Sequence, residues 1–260
     1  MVYLKTEFNK CAKEWLSPHG FIKMKGIPYF GRLINGEILQ VITAISSSSL
    51  IRGKKAFTIR TCMITVYSGF FGERSFEIFG CNIIRFGRAD NIDHHELNRY
   101  FQERYKDLYE FDTFYYDDET LREVMEMVLE DVCRLIVPRF DRVRTLEDYV
   151  EYCKWKQPAI IARADEFYKD SLLLIKTNNH ETFEDMLEYW REYALERYGD
   201  TNNPHYQSYM EDKYNYYLES YIKPRDKIYA DPDLYARAME ELDKRKAENT
   251  EKLRKYGFTV

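Results

Sequence analysis

The sequence predicts an α+β fold in which an N-terminal helix and an antiparallel sheet of about four to five strands pack against a mostly α-helical C-terminal half. Two observations lead to this prediction. Before about residue 88, runs of β-branched and aromatic residues alternate with turn residues, whereas later apolar residues recur at helical spacing. The charge changes at the same place: residues 1–88 hold 13 basic and 5 acidic residues (+8), and residues 89–260 hold 26 and 39 (−13).

The N-terminal half begins with a predicted helix that ends near Pro18 and Gly20, because proline cannot continue a helix and glycine accepts a left-handed exit. Its apolar face recurs every three or four residues: Phe8, Cys11, Ala12, Trp15 and Leu16. Strands are predicted in four segments: 27–34, 37–46, 56–67 and 75–86. The Asn35-Gly36 pair between the first two strands is typical of a tight hairpin turn. The central strands are apolar on both faces, so we expect helices to cover them.

The C-terminal half carries the start and stop signals of helices. Acidic residues from Asp117 open one helix, and Pro138 is expected to end it. Thr145 and Asp148 form a capping-box pattern that starts a short helix to about Trp155. Further helices are predicted over 159–176, 183–198, 204–221 and 232–257. The last of these is polar almost all round, so we expect its outer half to project or to pair with another chain.

Residues 1 to about 156 resemble a known family, and the resemblance is carried by an ordered set of segments: 15–26 (WLSPHGFIKMKG), 29–32 (YFGR), Gln40, 84–88 (IRFGR), Asp117, Pro138 and 145–149 (TLEDY). This pattern is similar to that of the bacterial domain-of-unknown-function 4304 family. The resemblance implies an α+β fold with an antiparallel sheet, and it implies no activity and no functional residues. The predicted domains are therefore residues 1–156, which resemble the family, and residues 157–260, a helical, tyrosine-rich extension packed on them.

Composition limits the cellular setting and the chemistry. The longest apolar runs fall far short of the roughly 20 residues that a membrane-spanning helix needs, and no secretory signal is recognisable. The five cysteines show neither a CxxC pair nor zinc-site spacing, so we expect reduced thiols in a cytoplasmic protein. Glycine-rich phosphate loops and a GxSxG elbow are absent from the sequence, so no cofactor is predicted.

Two acidic clusters were considered as catalytic or metal sites. Residues 93–96 (DHHE) lack the i, i+4 spacing of metal-binding helices and are typical of a helix cap. Residues 117–119 (DDE) fit a capping role at a helix start. The remaining histidines, His19, His180 and His205, lie at predicted turns or helix starts. The sequence therefore predicts no catalytic, cofactor-binding or metal-binding residue.

The basic N-terminal half is the main hint of a ligand. Its cations are Arg32, Arg52, Lys54, Lys55, Arg60, Arg74, Arg85 and Arg88. Together with Tyr29, Phe30, Phe70 and Phe71 they could bind nucleic acid by phosphate contact and base stacking. The favoured interpretation is that this half is neutralised by the acidic half of the same chain, since the protein is net acidic.

Tyrosine density is the other unusual feature, with ten tyrosines in residues 189–229. Tyrosine on amphipathic helices buries its ring at the rim of a core, and it is also favoured in protein interfaces. The sequence favours a non-enzymatic protein-binding module, for example a toxin-neutralising protein, that contacts another protein or a second copy through these helices. The alternatives are a nucleic-acid-binding module using the basic half and an enzyme without a recognisable motif.

Overall fold

A computed structural model describes residues 3–49, 51, 53–69, 71–73, 76, 81–82, 94–110, 112–150, 171–180 and 183–260 of the 260-residue chain. The fold is α+β, as the sequence predicts. It divides into two compact units, the first formed by Met1–Ala164 with Ala247–Val260 and the second by Asp165–Lys246. The sequence predicts one extension from residue 157 to the end, whereas the structure groups its last segment with the first unit.

The described strands form one antiparallel sheet: β1 Ile22–Lys23, β2 Phe30–Ile34, β3 Ile38–Ser47, β4 Lys55–Thr65, β5 Cys81–Asn82, β6 Tyr109–Glu110 and β7 Thr113–Tyr116. The strand order is β1-β2-β3-β4-β7-β6, and β5 also pairs with β4. These seven described strands exceed the four to five predicted. The additional ones are two to four residues long, too short to show the alternating pattern from which a strand is recognised.

The β2–β3 hairpin forms at the predicted place. Asn35 and Gly36 have φ angles of 51° and 73°, the left-handed conformation that this kind of turn requires at both positions. The register pairs Ile34 with Ile38 and Arg32 with Gln40.

The strand predicted over 75–86 is only partly present in the described residues. Its residues 81–82 form β5, but Phe76 is helical, and the Phe76 N–H donates to the Gly72 carbonyl at 3.1 Å. The rest of that segment lies outside the described residues.

The described helices are α1 Leu4–Leu16, α2 His94–Tyr105, α3 Leu121–Asp131, α4 Val137–Phe140, α5 Ser171–Lys176, α6 Phe183–Tyr198, α7 Pro204–Tyr217, α8 Lys223–Ala230 and α9 Pro232–Tyr256. Residues 146–150 are also helical, as the capping box predicts. The remainder of that predicted helix, and most of the one predicted over 159–176, lie outside the described residues.

Pro138 does not end its helix, contrary to the prediction. A π-helical turn, Val132–Ile136, leads directly from α3 into α4, and Pro138 occupies the first turn of α4. A second π-helical turn, Leu218–Ile222, precedes α8, which also has a proline in its first turn. Because proline lacks an N–H and its ring crowds the preceding turn, the wider π-helical turn lets the chain continue past it.

The core of the first unit lies between the sheet and helices α1 and α3. Phe8 of α1 is fully buried and meets Phe30 of β2 edge to face, with ring centroids 5.8 Å apart. The apolar stripe of α3 is buried at Val124, Met125 and Val128. Helix α1 contacts both α3 and β3, so these two helices provide part of the cover that the apolar strands require.

The C-terminal segment 247–260 completes the first unit. Asn249 is buried, and its amide donates to the carbonyls of Val66 at 2.8 Å and Ser68 at 2.9 Å, just after β4. Leu253 is fully buried. A Cβ atom built on Gly31 would lie 2.9 Å from the ring of Phe258, so the absent side chain leaves room for that ring against the sheet. The end of α9 therefore docks within this unit rather than projecting.

The second unit is helical in its described part. Trp190 and Ala194 of α6 are buried, and the Trp190 ring lies 6.1 Å from the ring of Tyr209 on α7. Asn203 caps α7, because its Oδ1 accepts a hydrogen bond from the His205 N–H at 2.9 Å.

Candidate functional site

Residues that carry the family resemblance lie together around the Arg32 guanidinium group. Its Nε donates to Gln40 Oε1 at 2.8 Å, and its Nη1 donates to the His19 carbonyl at 3.0 Å. The guanidinium carbon lies 4.8 Å from the centroid of the Phe21 ring. Gln40 is fully buried and donates through Nε2 to the Phe140 carbonyl at 2.7 Å. This group, the Arg32 cluster, joins the end of α1, the β2–β3 hairpin and α4.

The Arg32 cluster is internally satisfied. The third guanidinium nitrogen lies 2.8 Å from the Asp141 carboxylate, and the Arg32 side chain is 11% exposed. Burial lowers the pKa of the guanidinium from its ordinary value, and the negative charge of Asp141 opposes that shift. Because each guanidinium nitrogen already lies against a protein oxygen, the arrangement fits a structural role better than ligand binding.

Replacing Gln40 with leucine, which has a similar volume, tests this role. The buried Arg32 Nε and the Phe140 carbonyl would each lose a partner, so we expect the free energy of unfolding to fall by about 2–4 kcal/mol. The matched control is Gln102→Leu on the exposed face of α2, which should change it by less than about 0.5 kcal/mol. Urea unfolding of the two variants makes the comparison, and equal effects would rule out the structural role of Gln40.

A second polar cluster surrounds the fully buried carboxylate of Asp131 at the end of α3. Tyr100 donates its hydroxyl to Oδ1 at 2.8 Å, and Tyr105 donates to Oδ2 at 2.7 Å. Arg134 Nη2 also donates to Oδ1 at 3.1 Å, and Arg104 Nε lies 3.0 Å from Oδ2. We call these five residues the Asp131 cluster. It ties α2 to α3 immediately before the π-helical turn.

The chemistry of the Asp131 cluster is that of a fixed hydrogen-bond network. Burial, and then the hydrogen bonds to Asp131, raise the pKa of the Tyr100 and Tyr105 hydroxyls above the ordinary value. Both phenols therefore stay protonated as donors at neutral pH. The Arg134 guanidinium also lies 4.7 Å from the Tyr100 ring centroid, and Arg104 forms an ion pair with Glu130. Both oxygens of the Asp131 carboxylate are therefore occupied as hydrogen-bond acceptors.

The acidic residues at 117–119 fit the predicted capping role only in part, because Asp117 holds the turn before α3 and the cap position Thr120 makes no side-chain capping bond. Asp117 Oδ1 accepts hydrogen bonds from the N–H groups of Glu119 and Thr120 at 3.0 and 2.9 Å. These bonds from Thr120 and Glu119 lower the pKa of the Asp117 carboxyl. The carboxylate of Asp118 pairs with Lys55. Neither side chain is free to take part in paired-carboxylate chemistry.

The other candidate residues divide into a cluster outside the described part of the chain and a capping box. Asp93 lies outside the described residues, as do the side chains of His94, His95 and Glu96. Thr145 and Asp148 form the predicted capping box, because each side-chain oxygen accepts from the other residue's N–H, at 3.1 and 2.9 Å. In the described ranges, no three His, Cys, Asp or Glu side chains are placed to hold a metal ion.

Three described cations of the N-terminal half lie next to carboxylates from residues beyond 88. Besides Arg32 with Asp141, Lys55 pairs with Asp118 at 2.5 Å, and Lys54 lies 3.7 Å from Asp107. The aromatic rings proposed for base stacking are also enclosed, since Tyr29, Phe30 and Phe71 are at most 5% exposed. Arg60, a further member of the set, is half-buried in β4. The remaining members lie outside the described residues: Arg52, Phe70, Arg74, Arg85 and Arg88. These observations favour neutralisation within the first unit.

The second unit presents a different surface. Its residues 165–246 hold 19 acidic and 12 basic side chains, a net charge of −7. On α6, Glu188, Glu192 and Glu196 are exposed at i, i+4 and i+8, the spacing that aligns residues on one helix face. The side chain of Leu195, next to this row, is 40% exposed. We call these four residues the α6 face. It combines negative charge with an accessible apolar group.

Comparison with known proteins gives no relative: no protein-family model, no curated protein and no solved structure matches the chain. Within the residues that the structure covers, no helix is both long and apolar enough to cross a membrane. A proposal for the function therefore depends on the surfaces and clusters of the chain itself.

Proposed function

We propose that this is a non-enzymatic binding protein whose helical second unit contacts a protein partner with a basic surface. The observation that carries the proposal is the α6 face, where three carboxylates and the exposed Leu195 lie on one helix. Arg32 and Lys55 of the first unit pair with carboxylates of that unit, and the second unit carries a net charge of −7. An acidic face attracts a basic partner over several ångströms and aligns it during the encounter.

The proposal extends to the kind of partner and the setting. A basic toxin has the charge that this surface requires. The acidic helices would cover its basic surface, as acidic proteins can cover the basic surface of a nuclease. A reducing cytoplasm fits this role, because Cys11 and Cys133 are free thiols. Burial raises the pKa of Cys11 and Cys133 to about 11, so neither thiol is activated for catalysis at neutral pH.

The experiment is capture of the partner by the tagged full-length chain, followed by affinity measurement with the purified partner. The test variant is Glu192→Lys/Glu196→Lys on the α6 face. The control is Glu103→Lys/Glu147→Lys, which makes the same change at two exposed positions of the first unit. We expect the test variant to weaken binding about tenfold or more and the control to leave it within about twofold. Added salt should weaken wild-type binding.

Two results would contradict the proposal. One is a captured partner whose affinity is the same for the test variant and the wild type. The other is a stronger effect of the control variant, which would place the interface on the first unit. Circular dichroism of both variants separates loss of binding from loss of folding.

We also propose that residues 1 to about 156 belong with the domain-of-unknown-function 4304 family. Support comes from the Arg32 cluster, in which His19, Phe21, Arg32 and Gln40 of the quoted segments are direct neighbours. A structure of a family member with the same arginine–glutamine pair at its hairpin would support the assignment. A different hairpin arrangement would oppose it.

A further inference from the structure

A series of stacked rings leads to the surface of the second unit. The Tyr229 ring stacks with His180, with centroids 4.7 Å apart and planes inclined by 26°. It also stacks with Tyr235 at 6.3 Å and 28°. The Tyr229 hydroxyl donates to the Asn179 carbonyl at 3.2 Å, which fixes the middle ring. Tyr235 itself is 41% exposed, so the series ends in an accessible ring.

The support beneath this series is buried and hydrogen-bonded. Arg225 is 4% exposed, and its Nη1 donates to Asn179 Oδ1 at 3.0 Å. Its Nε donates to Asp226 Oδ1 at 2.9 Å. Asn179 therefore meets Arg225 through its side chain and Tyr229 through its carbonyl. A ring supported in this way loses little conformational freedom when a ligand binds, which favours affinity.

One carboxylate lies on the same side of the helix as the exposed ring. Asp231 caps α9, because its Oδ1 accepts from the N–H groups of Asp233 and Leu234 at 3.0 and 3.2 Å. It precedes Tyr235 by four residues, which places both on the same side of the first helical turn. Asp231 and Asp233 are both exposed. The net charge of −7 for the whole unit favours a cation over a phosphate-bearing ligand.

We propose that Tyr235, with Asp231, binds an arginine side chain of the basic partner. A guanidinium group is planar and weakly hydrated, so it stacks on an aromatic ring while its N–H groups pair with a carboxylate. A lysine ammonium group can form the ion pair but cannot stack as a plane. This inference rests on the proposed function and names the side chain that the partner contributes.

The test measures binding of two peptides to the full-length chain by isothermal titration calorimetry. The peptides differ only in having arginine or lysine at every cationic position. We expect the arginine peptide to bind more tightly, and Tyr235→Ala to weaken its binding about fivefold, a typical cation–π contribution. Tyr235→Phe keeps the ring and should retain the affinity. The matched control is Tyr3→Ala, which removes a tyrosine that is 67% exposed in the first unit and should have no effect.

Three results would overturn the inference. These are equal affinities for the two peptides, equal effects of Tyr235→Ala and Tyr3→Ala, and tighter binding of a mixed-sequence single-stranded RNA than of the arginine peptide. The last would indicate base stacking instead. If Glu192→Lys/Glu196→Lys weakens partner binding while Tyr235→Ala does not, the proposed function stands and the arginine site fails. The opposite pattern would place the interface at Tyr235 rather than on the α6 face.

Discussion

Replacing Asp131 with alanine should lower the free energy of unfolding by about 3–5 kcal/mol, the usual effect of removing one partner from a buried charged network. The Asp131 carboxylate is fully buried and accepts hydrogen bonds from Tyr100, Tyr105 and Arg134. Without it, the Tyr105 hydroxyl stays buried with no acceptor, and the positive charge of Arg104 loses its nearest buried carboxylate. Urea unfolding followed by circular dichroism measures the change.

The neighbouring Glu130→Ala variant is the control for this prediction. Glu130 also pairs with Arg104, but its side chain is 52% exposed. We expect its loss to lower the free energy of unfolding by about 1 kcal/mol or less, as for other exposed ion pairs. Similar values for the two variants would show that the Asp131 cluster is not a buried network of the kind described.

Leu253→Ala should lower the free energy of unfolding of the first unit by about 2–5 kcal/mol, the range for leucines in a closed core. Leu253 is fully buried near the end of α9, in the segment that also donates hydrogen bonds from Asn249 to Val66 and Ser68. The substitution would leave a cavity between this segment and elements formed by the first third of the chain. Hydrogen exchange at the end of β4 should therefore rise together with the loss of stability.

Leu195→Ala provides the matched comparison, because that leucine is 40% exposed on the α6 face. We expect its effect on stability to stay below about 0.5 kcal/mol. If Leu253→Ala were equally mild, or if β4 kept its protection, the C-terminal segment would not be an integral part of the first unit.

Elements set by local chemistry could be predicted from the sequence. The hairpin at Asn35-Gly36, the α1 helix and the capping box at Thr145 each depend on residues a few positions apart. The strand β7 was missed because its pairing with β4 joins residues far apart in the chain. The docking of Asn249 near β4 was missed for the same reason. Pro138 misled the prediction because a π-helical turn accommodates it.

The two polar clusters were missed although each leaves a trace in the sequence. Asp131 follows Val124 and Val128 on the apolar stripe of α3, where a charged residue is out of place. Gln40 lies between the apolar residues Leu39 and Val41, in the buried part of β3. A lone polar residue at a core position predicts a buried partner, but the identity of that partner depends on tertiary packing. The exposed ring of Tyr235 could not be distinguished from other tyrosines, because exposure is not visible in a sequence.

The central claim is that the second unit forms the binding surface. Hydrogen exchange of the full-length chain, measured with and without its captured partner, tests this claim most directly. We expect new protection in α6, within Phe183–Tyr198, and around Tyr235, with the β2–β3 hairpin unchanged. Protection confined to β1–β4, with none in α6 or near Tyr235, would contradict the proposal.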